Sequence, residues 1–229
     1  MADQAAPNSP PSSAAKSERQ RVVEAFMAIL AEGPIEEIGF PDIAARANIS
    51  LAALRQLFDS KIAILAAQMK ETDRAVLEGV EADMAEEPAR ERLFDVLMRR
   101  LEVLAPHKAA VRSLRDSAAR NPGLALALNA LSVRSQQWML AAADIPASGP
   151  GGALRAQGLA LMFFSVLSTW VKDDDPGLAR TMSALDGALG RGERLTGLLD
   201  GIFSLPDRIL RGRPGRRRRD AQGDGTIAA

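Results

Sequence analysis

The 229 residues suit one domain, or a small domain joined to a larger one, and suffice to bury a core. Hydrophobic residues make up 47% and charged residues 25%, the balance of a soluble globular protein. The absence of cysteine excludes disulfides, thiolate nucleophiles and cysteine zinc sites; the single histidine, His107, excludes metal sites built from several histidines; a formal net charge of zero gives no global sign of a nucleic-acid partner.

The first 16 residues are rich in Ala, Ser and Pro and are expected to be disordered. They lack the charged and apolar regions of a secretory signal. Ser17-Glu18-Arg19-Gln20 reads as a capping box. Behind it Val22, Val23, Phe26, Ile29 and Leu30 share one helical face, and Gly33-Pro34 stops the helix. A short helix is expected from Pro41 to Ala47, with proline in its first turn. Asn48 suits the left-handed turn that ends it. Ser50 then caps a third helix, Leu51 to Phe58. Asp59-Ser60 breaks that helix and caps a fourth, Lys61 to Met84, with Ile62, Leu65, Met69, Val76, Leu77 and Val80 as core candidates.

Pro88 opens a helix in which Leu93, Phe94, Leu97, Leu101 and Leu104 form an apolar stripe. Pro106 starts another, to Arg120, and Asn121-Pro122 a further one, to Ala143. Residues 145–152 read as a loop. Ala153 to Lys172 is apolar almost all round, which implies burial on more than one side. Asp173-Asp174-Asp175-Pro176 caps a last helical stretch, Gly177 to Phe203, that can break at Gly190 to Gly192. No useful period-2 strand occurs, tyrosine is absent, and aromatics are only 4%. The expectation is an all-α protein of about nine helices. Its longest apolar stretch, Leu159 to Val171, is shorter than the ~20 residues that cross a bilayer, so no membrane insertion and a cytoplasmic location are expected. From Leu205 onward seven arginines face three aspartates, a basic tail read as disordered.

Three short helices, the second and third joined by a tight turn, outline a DNA-binding helix-turn-helix. The stretch Ile43-Ala-Ala-Arg-Ala-Asn-Ile-Ser-Leu-Ala-Ala-Leu-Arg-Gln-Leu-Phe-Asp-Ser-Lys61 resembles the signature of the TetR family of repressors. Ile43, Ala44, Ala47, Ile49, Ser50, Leu54, Phe58, Ser60 and Lys61 match it. Asn48 stands where that family has glycine, and tolerates the same left-handed geometry. The resemblance implies a DNA-binding module over residues 17–62 and a helical ligand-binding and dimerisation domain over 63–204, flanked by the tails 1–16 and 205–229. It implies Ser50, Leu51, Ala53, Arg55, Gln56 and Lys61 as DNA-contacting positions on a double-stranded operator. Arg55 replaces a tyrosine and can hold a phosphate. Gln can pair with adenine and Arg with guanine. Leu57 stands where a phosphate-contacting His or Tyr is usual. From Ser17 to Lys70 six basic residues face seven acidic ones, a poor balance for a DNA-binding module.

Two later stretches, Leu101 to Leu114 and Thr169 to Asp175 with Leu185-Asp186, resemble the ubiquinone-biosynthesis accessory proteins. These share the TetR fold but bind isoprenoid lipids instead of DNA. The arginine pair that follows Leu-Asp in that group is Gly187-Ala188 here. No enzyme constellation, cofactor site or metal site is expected. His107 reads as a surface or capping residue, and the three aspartates as a helix cap. The residues Phe94, Leu97, Met98, Leu101, Leu131, Trp138, Met162, Phe163 and Trp170 are candidates to line a pocket for a small hydrophobic ligand. Each also fits plain core or dimer contact. The helices on either side of Asp173 to Pro176 are the expected homodimer face.

Overall fold

The structure, a computed structural model, describes residues 17–80 and 86–192 of the chain. The expected tails, 1–16 and 205–229, lie outside the described residues. Eight helices lie wholly within them, and no strand occurs among them. They are α1 (Glu18–Glu32), α2 (Phe40–Arg46), α3 (Leu51–Leu57), α4 (Lys61–Glu78), α5 (Ala89–Leu104), α6 (Lys108–Arg120), α7 (Pro122–Ala142) and α8 (Gly149–Trp170). A ninth, α9, is helical over residues 179–189. The described residues up to Leu189 belong to one compact unit, and residues 190–192 to a second.

Local chemistry fixes the first four helices. Ser17 accepts from the Gln20 amide, and Gln20 accepts from the Ser17 amide, closing the capping box. At the end of α2, Asn48 takes a φ of +54°. The Ile49 amide reaches back to the Ala44 carbonyl and the Asn48 amide to Ala45. That is a Schellman closure with asparagine in the left-handed seat. Ser50 and Ser60 then cap α3 and α4 through the amides of Ala53 and Ala63. The α4 helix ends at Glu78, earlier than the expected Met84, because Gly79 takes the cap. Val80 therefore leaves the core and is exposed, while Ile64 and Leu65 carry the buried face with Val76.

Two hydrophobic clusters result. The first gathers Val22, Phe26, Leu30, Ile43, Leu54 and Ile64 from α1 to α4, all at most 2% exposed, and extends to Ala110, Ala118 and Leu124 of α6 and α7. Ser113 and Ser117 of α6 donate to the Gly33 carbonyl and to Glu36, so α6 also holds the α1–α2 connection. The second cluster joins α5, α7, α8 and α9 around Leu97, Leu101, Met139, Trp170 and Leu185.

Two stretches depart from the sequence reading. The helix of residue 108 onward is preceded by a 3-10 turn, Ala105–His107. The glycine-rich stretch is not wholly a loop, since α8 begins at Gly149 with Pro150 in its first turn. Gly149 has a φ of +69°, and a Cβ on Gly152 would stand 2.2 Å from the Ala147 carbonyl carbon. These glycines serve a sharp entry and a close backbone approach. Beyond α8, Asp175 caps α9 by accepting from the Gly177 and Ala179 amides. Asp173 is buried and accepts from both the amide and the hydroxyl of Thr181.

Candidate nucleic-acid interface and ligand core

The α2–turn–α3 unit presents one side of α3 to solvent. Leu54 and Phe58 are buried in the first cluster and fix the helix roll. Ser50, Leu51, Arg55 and Gln56 are then exposed, and Ala53 is half-buried. Of the six expected contact positions, four lie on this open face. The hydroxyl of Ser50 is engaged by the Ala53 amide. Arg55 is ion-paired with Asp59, one turn on. Both partners are largely exposed, and such pairs contribute no more than about 1 kcal/mol, so a phosphate can displace the aspartate.

Lys61 is placed differently. Its ammonium donates to the carbonyls of Ile35 and Ile38, at 2.7 and 3.0 Å. Two of its three N–H donors thus hold the α1–α2 connection, which leaves one for an outside acceptor. Arg19 was not among the expected positions. It donates to the Leu57 carbonyl at 3.0 Å and stacks 4.2 Å above the Phe58 ring, clamping the end of α3 to α1. Arg46 makes a two-pronged bond to Glu32, 2.9 Å on each arm, tying α2 to α1. That bond holds the Glu32 carboxyl below its ordinary pKa.

Seven of the nine pocket candidates meet in the second cluster. Leu97, Leu101, Phe163 and Trp170 are fully buried there, and Phe94, Met98 and Met162 pack partly buried against it. The other two are elsewhere. Leu131 packs on the first cluster, and Trp138 is 59% exposed. Together they wall a cleft of about 570 Å³ between α4 and α7, with Met69, Asp73, Leu77 and Ser135.

Beneath that cleft lies a polar group the sequence reading missed. Arg100 is 4% exposed and paired with Asp73 at 2.5 Å. Ser135 donates to the same Asp73 oxygen at 2.6 Å. Arg100 also touches the Met139 sulfur and lies 5.7 Å from the Phe163 ring centre. Removing one member of such a buried pair costs about 3–5 kcal/mol. Next to Ser135, Gln136 is fully buried. The available signal was Arg100 itself, a charge set at helical spacing within the stripe Leu93, Leu97, Leu101 and Leu104.

Elsewhere, His107 sits in the 3-10 turn, where partial burial lowers its pKa against the opposing charge of Glu24. Lys108 and Arg112 of α6 donate to the carbonyls of Asp173 and Val171, so α6 touches both the α1 region and the end of α8. Among the described residues no three His, Asp or Glu side chains gather to hold a metal, and no helix is long and apolar enough to cross a membrane.

No protein-family model matches the sequence, and no curated protein does. Solved structures do match. A TetR transcriptional regulator from Nitrosomonas europaea ATCC 19718 is 22% identical with a TM-score of 0.60, covering 76% of this chain and 96% of its own. A TetR transcriptional regulator from Rhodococcus sp. RHA1 is 20% identical with a TM-score of 0.53, covering 76% and 94%. A TetR-family regulator from Streptomyces coelicolor is 14% identical with a TM-score of 0.51, covering 86% and 90%. At these identities the likeness is one of fold: this chain has the all-α fold of the TetR transcriptional regulators.

Proposed function

We propose that the chain is a non-enzymatic DNA-binding transcriptional regulator, a repressor released by a small hydrophobic ligand. The observation that carries this reading is the helix-turn-helix itself. A left-handed Asn48 and a capped Ser50 set α3 at a fixed angle, with Leu51, Arg55 and Gln56 on its open side. A short helix held this way fits the major groove. Arg55 and Gln56 then read bases or phosphates, Ser50 and Lys61 support the backbone contact, and Leu51 and Ala53 approach thymine methyl groups. Residues 17–62 form the DNA-binding module and 63–204 the ligand-binding and dimerisation domain. Two copies pair through α8 and α9 and address two half-sites of a double-stranded operator, acting in the cytoplasm. A ligand in the helical domain shifts the population toward a dimer geometry that misses successive grooves.

A second reading is a lipid-binding accessory protein of ubiquinone biosynthesis that keeps the fold without the DNA role. Its specific support is electrostatic. Arg55 is countered by Asp59, Lys61 is tied to two carbonyls, and Arg19 to a third. The experiment is a polarisation titration with DNA flanking the protein's own gene, across a salt series. The regulator reading expects binding that weakens with salt, and Arg55→Ala to reduce affinity about tenfold or more and flatten the salt slope by about 1 per lost contact. Binding no tighter than to random DNA, unchanged by Arg55→Ala, supports the lipid-binding reading instead.

A further inference from the structure

The cleft between α4 and α7 is built from two helical stripes. Met69, Asp73 and Leu77 recur every fourth residue on α4, and Leu131, Ser135 and Trp138 recur at helical spacing on α7, so each set shares one face. The Ser135 hydroxyl donates to Asp73 Oδ1 and ties the two faces together. The volume, about 570 Å³, falls within the roughly 300–1,000 Å³ of small-molecule sites.

Three features give this cleft a chemistry. Met69, Leu77, Leu131 and Trp138 make it largely apolar, and the Trp138 indole is 59% exposed, a face on which a flat aromatic body can stack. Asp73, only 8% exposed, supplies an open acceptor. Its Oδ1 takes the hydrogen bonds from Arg100 and Ser135, and its Oδ2 takes none among the described residues. Carboxylate oxygens this deep in a protein normally have a partner. The third feature is charge. Arg74 pairs with Glu78, and Asp73 with Arg100. Lys70 and Arg134 line the same cleft, are exposed, and have neither an ion pair nor a hydrogen bond among the described residues. The rim thus carries two uncompensated positive charges, which attract an anion and repel a cation.

We propose that the cleft binds a flat aromatic acid with a hydroxyl or N–H donor at the end away from its carboxylate. The carboxylate accepts from Arg134 and Lys70 at the rim. The ring lies against Trp138, Met69 and Leu77, and the far donor reaches Asp73 Oδ2. This rests on the reading of residues 63–204 as a ligand-binding domain, and it names the class and the seat of the ligand.

The test is calorimetric titration of the full chain at about pH 7, where carboxylic acids are ionised and phenols are not. The probes are 6-hydroxy-2-naphthoate, 2-naphthoate, which lacks the donor, and 2-naphthol, which lacks the carboxylate. The hydroxy acid is expected to bind tightest, with 2-naphthoate weaker by about tenfold and 2-naphthol by about fivefold. Only the two acids are expected to weaken as salt is raised. Trp138→Ala and Arg134→Gln alter exposed side chains and are expected to fold; each weakens the hydroxy acid by about fivefold or more. Binding of 2-naphthol as tight as that of the hydroxy acid, or binding untouched by both variants, overturns the proposal and leaves a hydrophobic ligand site elsewhere in the domain. Equal binding of 2-naphthoate also overturns it, since the contact with Asp73 is then absent. Silence toward all three probes overturns it together with the ligand-domain reading. If a variant does not fold, the wild-type ranking of the three probes decides alone.

Discussion

At the scale of single residues, the structure is governed by side chains that close backbone groups. Asp173 is the strongest case. It is 2% exposed and accepts from the Thr181 amide at 2.9 Å, the Thr181 hydroxyl at 2.7 Å and the Asp175 amide. The Thr181 hydroxyl is the largest cause holding its carboxyl below the ordinary value, and burial opposes it. A carboxylate with a depressed folded pKa adds stability that is complete above the unfolded value of about 4. That stability is lost as pH falls through the folded value. Thermal unfolding from about pH 6 down to pH 3 tests this. The wild-type melting temperature is expected to fall more steeply than that of Asp173→Asn, which starts lower. Parallel curves would show that Asp173 contributes no such linkage.

Residues of this local kind were legible in the sequence. Ser17, Asn48, Ser50 and Ser60 each act on amides or carbonyls within five residues, so spacing alone identifies them. Arg100 with Asp73, Arg19 with Leu57, and Lys61 with Ile35 and Ile38 were not legible. Their partners lie 27, 38, and 26 and 23 positions away. Nothing in periodicity tells which distant carbonyl or carboxylate a cation will meet. The same limit placed Trp138 and Leu131 among the pocket candidates, since helical spacing gives a face but not the neighbour it turns toward.

At the scale of elements, α3 is the point of decision. Its burial is narrow: Leu54 and the following Phe58 anchor it, and Arg19 clamps its end. A helix of seven residues has little stability of its own, so these tertiary contacts hold it. Its open face carries one cation, Arg55, opposed by Asp59. Removing the opposing acid therefore sharpens the regulator reading. Asp59→Asn is expected to raise DNA affinity severalfold at low salt and to steepen the salt slope by up to about 1 per module. A drop in affinity would mean that the Arg55–Asp59 pair positions α3 rather than competing with phosphate.

At the scale of the whole molecule, the uncovered apolar surface is the telling feature. The sequence led us to expect that α8 is buried on more than one side. Within one copy, Ala156, Phe163 and Trp170 of α8 are buried, but Leu154, Leu161 and Phe164 are 48–59% exposed. Met182 of α9 is 42% exposed. Large apolar side chains grouped in this way mark an interaction surface. In the proposed homodimer these helices would cover one another, and the two helix-turn-helix modules would reach half-sites about one DNA turn, ~34 Å, apart. Phe164→Glu is expected to shift sedimentation toward the mass of a single chain, 24.4 kDa, without unfolding it. A wild-type chain that sediments as a monomer at every concentration would remove this interface.

The most direct measurement is selection of genomic DNA fragments by the pure full-length protein, followed by footprinting of the enriched fragments. The regulator reading predicts enrichment of a small set of fragments sharing a two-fold-related site. Protection should fall in two half-sites about one helical turn apart, or a multiple of it, and vanish in Arg55→Ala. Enrichment no better than for the input, or protection that ignores sequence, would contradict it and leave the fold serving a purpose other than reading DNA.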